Sequence, residues 1–165
     1  TTVSKFPQFV SSITNAYNRG KFNRFGKPNP QGDFRALEDP KNTESRSIGA
    51  LSEPVIIALD ITATNNQPYQ LSAYFVDWEN EGRRISVTLL DASDSKFDVI
   101  TPLQMLEDFS GGCYLVWRVS GSVRVRVAHV GGDPGGQSAL ISGLFFDEPS
   151  RSQFNSRNSS LKQYF

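Results

Sequence analysis

Over much of the chain the apolar positions recur at every second residue. Val55, Ile57, Leu59 and Ile61 alternate with Ile56, Ala58, Asp60 and Thr62. Tyr69, Leu71, Ala73 and Phe75 alternate with Gln70, Ser72, Tyr74 and Val76, and Ile85, Val87 and Leu89 with Ser86 and Thr88. Val123, Val125 and Val127 alternate with Arg124 and Arg126, the pattern of a strand with one wet face. Leu115, Trp117 and Val119 share one face of another strand, and residues 140–146 read as a last one. Turn-forming residues separate these runs: Asn65-Asn66-Gln67-Pro68, Glu81-Gly82, Ser110-Gly111-Gly112, Ser120-Gly121 and the Gly-Gly-Asp-Pro-Gly-Gly run at 131–136. Strands spaced by about ten to twelve residues predict an all-β fold, an antiparallel β-sandwich of jelly-roll type. The segment 103–109 fits either one helical turn or a bulged strand.

The first part of the chain has a different rhythm. Phe6, Phe9, Val10, Ile13 and Tyr17 recur at three- and four-residue steps, which predicts a short amphipathic N-terminal helix over residues 3–18. Pro7 suits its first turn and Gly20 its end. Residues 18–32 have loop composition, with no acidic residue. After Pro149 the chain turns polar. The expected organisation is an N-terminal helix and loop over 1–30, a β-sandwich module over 31–148 and a polar tail over 149–165.

At 165 residues there is room for one domain with a core of its own, and 12% aromatic content helps to fill it. Seventeen basic and seventeen acidic side chains cancel, which argues against a nucleic-acid binder and against a disordered polyelectrolyte. One cysteine and one histidine exclude an internal disulfide, a cysteine-based zinc site and a multi-histidine metal centre. No apolar run reaches the length of a membrane span. Thr-Thr-Val-Ser-Lys is not a signal peptide, and a chain that starts without Met is expected to be a piece of something longer.

Candidate chemistry is sparse. A Ser-His-Asp triad would need His129, which follows Val127 on the apolar face near a strand end and has no Gly-x-Ser-x-Gly elbow to serve. It reads as a structural or rim histidine. Cys113 opens an apolar strand and reads as a small hydrophobe. Asp77 and Glu79 fall two residues apart where a strand ends, roughly 7 Å along an extended backbone. That spacing admits a pair of glycosidase carboxylates, a plain polar loop, or a third reading. A Trp set among Asp77, Glu79 and Asn80 has the chemistry of sugar recognition, in which the indole stacks on a pyranose and the polar groups bind its hydroxyls. Asp91, Asp94 and Asp98 gather hard oxygen ligands around one turn, as a solvated turn or a Ca²⁺ site would. Arg19, Lys21, Arg24 and Lys27, interleaved with Phe22 and Phe25, make a weak nucleic-acid arm in a neutral protein, and the two rings read better as pins on a loop. The glycine-rich run at 131–136 lacks a Lys and reads as a hairpin connection, and Asn158-Ser159-Ser160 is a glycosylation sequon.

Three strings carry a family resemblance: Tyr74-Phe-Val-Asp-Trp-Glu-Asn-Glu-Gly-Arg-Arg-Ile-Ser-Val-Thr-Leu-Leu-Asp91, Phe109-Ser-Gly-Gly-Cys-Tyr-Leu-Val-Trp-Arg-Val-Ser-Gly121 and Ala139-Leu-Ile-Ser-Gly-Leu-Phe-Phe146. Together they resemble the galactose-binding-domain-like β-sandwich modules, among them the accessory carbohydrate-binding modules of secreted polysaccharide-active proteins. Asp33-Phe-Arg-Ala-Leu37 and Arg46-Ser-Ile-Gly-Ala50 resemble the strand that precedes the sandwich in such modules. The resemblance covers about residues 31–147. It implies a non-catalytic module with a loop-end ligand site, often a structural Ca²⁺, and an extracellular or cell-surface setting. Asp77, Trp78 and Glu79 match the modules' Asp-Trp-acid string, with Arg83 in the polar turn that follows; Trp117 matches too, but its neighbours place it in the core. The expected ligand residues are therefore Asp77, Trp78, Glu79, Asn80 and Arg83, and the expected partner is a glycan or polysaccharide. The alternative is an extracellular structural or assembly domain whose ends contact neighbouring chains through Phe6, Phe9 and Ile13 on one side and Phe154, Leu161, Tyr164 and Phe165 on the other.

Overall fold

The computed structural model describes residues 6–17, 21–24, 33–39, 42–47, 49–93, 95–131 and 137–148. The polar tail from residue 149 on, its sequon and its apolar residues lie outside the described residues, as do Asp94, Arg19, Lys27 and Phe25. In chain order the strands are β1 (Val10–Asn15), β2 (Lys21–Arg24), β3 (Leu37–Asp39), β4 (Asn42–Ser47), β5 (Gly49–Glu53), β6 (Ile56–Ala63) and β7 (Pro68–Phe75). They continue as β8 (Arg84–Asp91), β9 (Gln104–Leu106), β10 (Cys113–Ser120), β11 (Val123–Gly131), β12 (Ala139–Ile141) and β13 (Gly143–Asp147). All pairings between them are antiparallel. A five-stranded sheet runs β1-β6-β11-β8-β9 and a three-stranded sheet runs β10-β7-β13. Two smaller sheets, β12-β5-β2 and β3-β4, complete the arrangement.

The two-residue period builds the core directly. In the larger sheet Val123, Val125 and Val127 lie opposite Ile61, Leu59 and Ile57, and Val127 and Val125 lie opposite Val87 and Leu89. In the other sheet Leu115, Trp117 and Val119 lie opposite Ala73, Leu71 and Tyr69. These inner faces join in one buried apolar cluster, the interior of a β-sandwich. Consecutive strands change sheets from β6 to β7, from β7 to β8, from β9 to β10 and from β10 to β11. The residues joining β7 to β8 and β9 to β10 therefore bridge the two layers at one end of the sandwich.

The N-terminal helix is not seen. Residues 10–15 form edge strand β1 on β6. Val10 pairs with Ala63 and Ile13 with Ile61, and the register slips between Val10 and Ser12. A bulge of this kind adds one residue to a two-residue period, so two core-facing residues come to stand three apart. That spacing imitates a helix, although Val-Ser-Ser-Ile-Thr-Asn suits a strand better. Phe6, Phe9 and Ile13 are partly buried against the protein's own core, and the Phe9 ring lies 5.1 Å from Tyr69.

Two more segments differ from the sequence expectation, and one that fitted two readings takes one of them. Residues 21–24, inside the presumed loop, pair with β5. The segment 103–109 holds the short strand β9, and a 3₁₀ turn over Phe109–Gly111 follows it. The expected last strand divides at Ser142, whose N–H donates to the Tyr74 carbonyl at 2.8 Å. Before this corner β12 pairs with β5, and after it β13 pairs with β7.

Candidate functional site

The loop that joins β7 to β8 carries all five residues expected to bind ligand. It leaves β7 after Phe75 and is pinned early, because the Asp77 N–H donates to the Phe109 carbonyl at 3.2 Å. The Asn80 N–H then donates back to the Asp77 carbonyl at 3.0 Å, closing a turn whose exit uses left-handed φ values of 54° at Asn80 and 64° at Gly82. Asn and Gly are the residues that tolerate this conformation.

Asp77 and Arg83 turn inward together. They are 2% and 6% exposed. The Asp77 carboxylate accepts the Arg83 backbone N–H at 3.1 Å and also binds the Arg83 guanidinium. Glu79 and Glu81 approach the same guanidinium at 3.4 and 2.5 Å. A buried charge has to be paired and hydrogen-bonded to be tolerated, and here the pair ties the two ends of the loop together. Asp77 and Arg83 thus form an internal brace. Glu79 keeps 46% of its side chain exposed, and Asn80 is exposed beside it.

Trp78 sits at the crest of the turn, half-buried. The Arg35 guanidinium lies over its ring, 4.0 Å from the centroid. Arg35 is itself held from several sides. The Asp33 carboxylate accepts from Arg35 Nε at 3.0 Å and from Nη2 at 2.8 Å, a two-pronged geometry, and from the Arg35 backbone N–H at 3.0 Å. Arg35 Nη1 donates to the Ser110 carbonyl at 2.9 Å, and the Arg35 carbonyl accepts the Tyr74 hydroxyl at 2.9 Å. The hydrogen bond from Arg35 holds the Asp33 carboxyl below its usual range, and the same bond raises the Arg35 pKa. Burial pushes Tyr74 up to about 12. Sequence reading missed Arg35, which lies 43 positions before Trp78 and carries no local signal beyond its spacing from Asp33.

The outer face of the β10-β7-β13 sheet was also missed. Strand register places Tyr114 opposite Tyr74, and both Val116 and Phe145 opposite Ser72. The Tyr74 and Tyr114 rings lie 4.6 Å apart, and Tyr114 and Phe145 lie 5.9 Å apart. Tyr114 is 36% and Phe145 38% exposed. One register step further, Gln70 lies opposite both Arg118 and Asp147, and the Gln70 amide reaches the Asp147 carboxylate at 3.4 Å. The alternation that put Leu115 and Trp117 inside also put Tyr114 outside, and this was the available signal.

Of the acidic turn after β8, Asp91 and Asp98 are described and Asp94 is not. The Asp91 carboxylate is bound by Ser93, whose side chain and whose backbone N–H, at 2.7 Å, both lower its pKa, so it is committed to its own turn. The Asp91 N–H donates to the Asp98 carbonyl at 2.8 Å, while the Asp98 side chain faces solvent. Among the described residues no three His, Cys, Asp or Glu side chains are placed to share a metal ion. His129 is half-buried, its backbone N–H bound to the Val55 carbonyl at 2.9 Å. Burial pushes the Cys113 thiol up to about 11, the opposite of what a nucleophilic cysteine needs.

No protein-family model matches the sequence, and no curated protein matches it. Solved structures similar to this chain include a family 61 carbohydrate-binding module in complex with β-1,4-galactotriose, at 8% identity over 84% of this chain and 88% of that one, with a TM-score of 0.43. A pectin-binding carbohydrate-binding module matches at 13% identity over 91% of this chain and 93% of that one, with a TM-score of 0.43. The enzymatically active domain of tailspike protein 4 of bacteriophage CBA120 matches at 12% identity and a TM-score of 0.42; the match covers 84% of this chain and 19% of that one.

Proposed function

We propose that this chain is a non-catalytic carbohydrate-binding module of the cell surface or extracellular space. It holds a glycan at the end of the sandwich where the β7–β8 loop meets residues 33–35. The observation that carries this reading is the Arg35–Trp78 stack, which orients a partly exposed indole at the crest of the loop, where a sugar ring would stack. Glu79 and Asn80 flank the indole with exposed hydrogen-bonding groups suited to hydroxyls. Asp77 and Arg83 serve the site by bracing its loop. Glycoside hydrolysis asks two carboxyl groups to act from opposite sides of a bond. Asp77 and Glu79 instead gather on one guanidinium, an arrangement that favours binding without turnover.

The test is affinity electrophoresis of the protein through gels containing galactan, pectin, xylan or glucomannan, beside a glycan array. At least one polysaccharide should retard the protein. Trp78→Ala should remove most of the retardation at a stability cost of only about 1–2 kcal/mol, because the side chain is half-buried. A protein that no glycan retards, or a Trp78→Ala variant that binds as well as the parent, would overturn the reading.

A further inference from the structure

The aromatic surface does not stop at Trp78. Arg35 stacks on Trp78 and accepts the Tyr74 hydroxyl at its carbonyl; Tyr74 stacks on Tyr114, and Tyr114 contacts Phe145. These contacts make one rigid line from the loop end onto the outer face of the β10-β7-β13 sheet. Gly143 shapes that face. A side chain there would meet Leu37 Cδ1 at 3.0 Å and the Phe145 ring at 3.2 Å, so the glycine lets Leu37 and Phe145 close over its position.

We infer that the Tyr114–Phe145 face is a second set of subsites, and that the ligand is an internal stretch of a linear polysaccharide rather than a single terminal sugar. This rests on the carbohydrate reading of Trp78 and deepens it. Three features of the face specify the occupant. Its two half-exposed rings offer on the order of 100–200 Å² of apolar surface. A stable protein partner or a second copy of the chain needs about 800 Å² on each side. The rings are 36% and 38% exposed and their centroids lie 5.9 Å apart, a spacing that suits a flat ligand. The Gln70 amide and Asp147 carboxylate stand in the adjoining row, where the hydroxyls of a stacked sugar would reach them. A chain of pyranose rings meets all three conditions, with its apolar faces on the aromatics and its rim on the polar row.

The experiment measures dissociation constants by calorimetry for oligosaccharides of two to six sugars cut from each polysaccharide that retards the protein. In the parent, affinity should climb with length beyond the disaccharide. Tyr114→Ala and Phe145→Leu should each weaken the longest oligomer about 2- to 10-fold and leave the disaccharide unchanged. The leucine keeps the apolar bulk and removes only the flat ring, so it separates stacking from folding. Trp78→Ala should weaken every length. Affinity that is flat with length in the parent, or that climbs equally in the face variants, overturns this inference alone and leaves the Trp78 site standing. A concentration-dependent dimer in light scattering that Phe145→Leu abolishes would assign the face to a second copy and overturn it as well. Failure of every polysaccharide to bind overturns both readings together.

Discussion

The Arg35 guanidinium stands 4.0 Å from the centre of the Trp78 ring, and it is held there by one group two residues away and one from a remote loop. Asp33 fixes its fork, and the Ser110 carbonyl fixes its remaining nitrogen. A planar cation anchored on two sides has little freedom left, so the indole beneath it is oriented before any ligand arrives. Such preorganisation lowers the ordering cost that weak ligands otherwise meet on binding. The brace between Asp77 and Arg83 gives the loop backbone the same rigidity.

Removing Arg35 therefore tests the arrangement from the side of the cation. Arg35→Ala is expected to cost about 1 kcal/mol of stability. It should also shift the tryptophan emission to longer wavelength as Trp78 becomes freer. Trp117 is buried in the core, so the change belongs to Trp78. Arg35→Lys should behave almost like Arg35→Ala, because an ammonium cannot make the two-pronged contact with Asp33. An emission maximum unchanged in both variants would show that Arg35 does not order the indole.

Asp77 and Glu79 should part company on mutation, although both were candidates for the same ligand. Asp77→Ala leaves the buried Arg83 guanidinium to Glu79 and Glu81 alone and removes the acceptor of its backbone N–H, and losing such charge-assisted hydrogen bonds costs about 1.5–3 kcal/mol. Glu79→Gln changes an exposed group and should stay within about 0.5 kcal/mol of the parent. Urea denaturation measures both. An Asp77→Ala protein as stable as the parent but unable to bind glycan would make Asp77 a ligand residue instead of a brace.

Much of the sandwich was readable because a two-residue period has a single structural meaning when it is uninterrupted. Val123, Val125 and Val127, and Leu115, Trp117 and Val119, are buried where parity put them. Reading failed where the period was interrupted or where the partner was remote. The bulge after Val10 disguised a strand as a helix. The Asp77–Arg83 pairing depends on a turn closing, and composition alone made both residues look like exposed polar groups. Arg35 meets Trp78 while its Nη1 donates to the Ser110 carbonyl of the β9–β10 connection, a juxtaposition with no local mark in the sequence. Tyr114 was legible in principle, but an aromatic at an outward position becomes significant only when Phe145, on the other side of β7, is placed beside it.

Acid should loosen the site in a defined order. The folded Asp33 carboxyl titrates below its ordinary range, because Arg35 binds the ionised form. A depressed carboxyl contributes its stabilisation fully above its unfolded pKa and loses it as the pH falls through the folded one. The contact with Arg35 should thus be intact at neutral pH and through the ordinary Asp range, and fail only at lower pH. Trp78 emission followed from pH 7 downward should hold steady past the usual aspartate midpoint and then change. In Asp33→Asn that low-pH step should be absent. A change centred on the ordinary aspartate midpoint, or one that survives in Asp33→Asn, would detach the indole from this clamp.

The last prediction concerns two adjacent glycines with opposite outcomes. Gly112 has φ 83° and ψ 140°, a conformation that side chains strongly disfavour. A Cβ there would fall 2.3 Å from the Tyr74 hydroxyl and 3.0 Å from its ring. The tyrosine has little room to give way, since its hydroxyl binds the Arg35 carbonyl and its ring packs 4.6 Å from Tyr114. Gly112→Ala should cost about 2–4 kcal/mol from backbone strain and crowding together. The displaced Tyr74 should also disturb both Arg35 and Tyr114, so tryptophan emission should change with stability. Gly111 meets nothing within 4 Å of its own added Cβ, and Gly111→Ala should stay within about 0.5 kcal/mol of the parent. Thermal melts of the two variants, made side by side, decide the matter. Equal stability in both would mean that Gly112 and Tyr74 do not meet as described, and the aromatic line from Trp78 to Phe145 would lose its middle link.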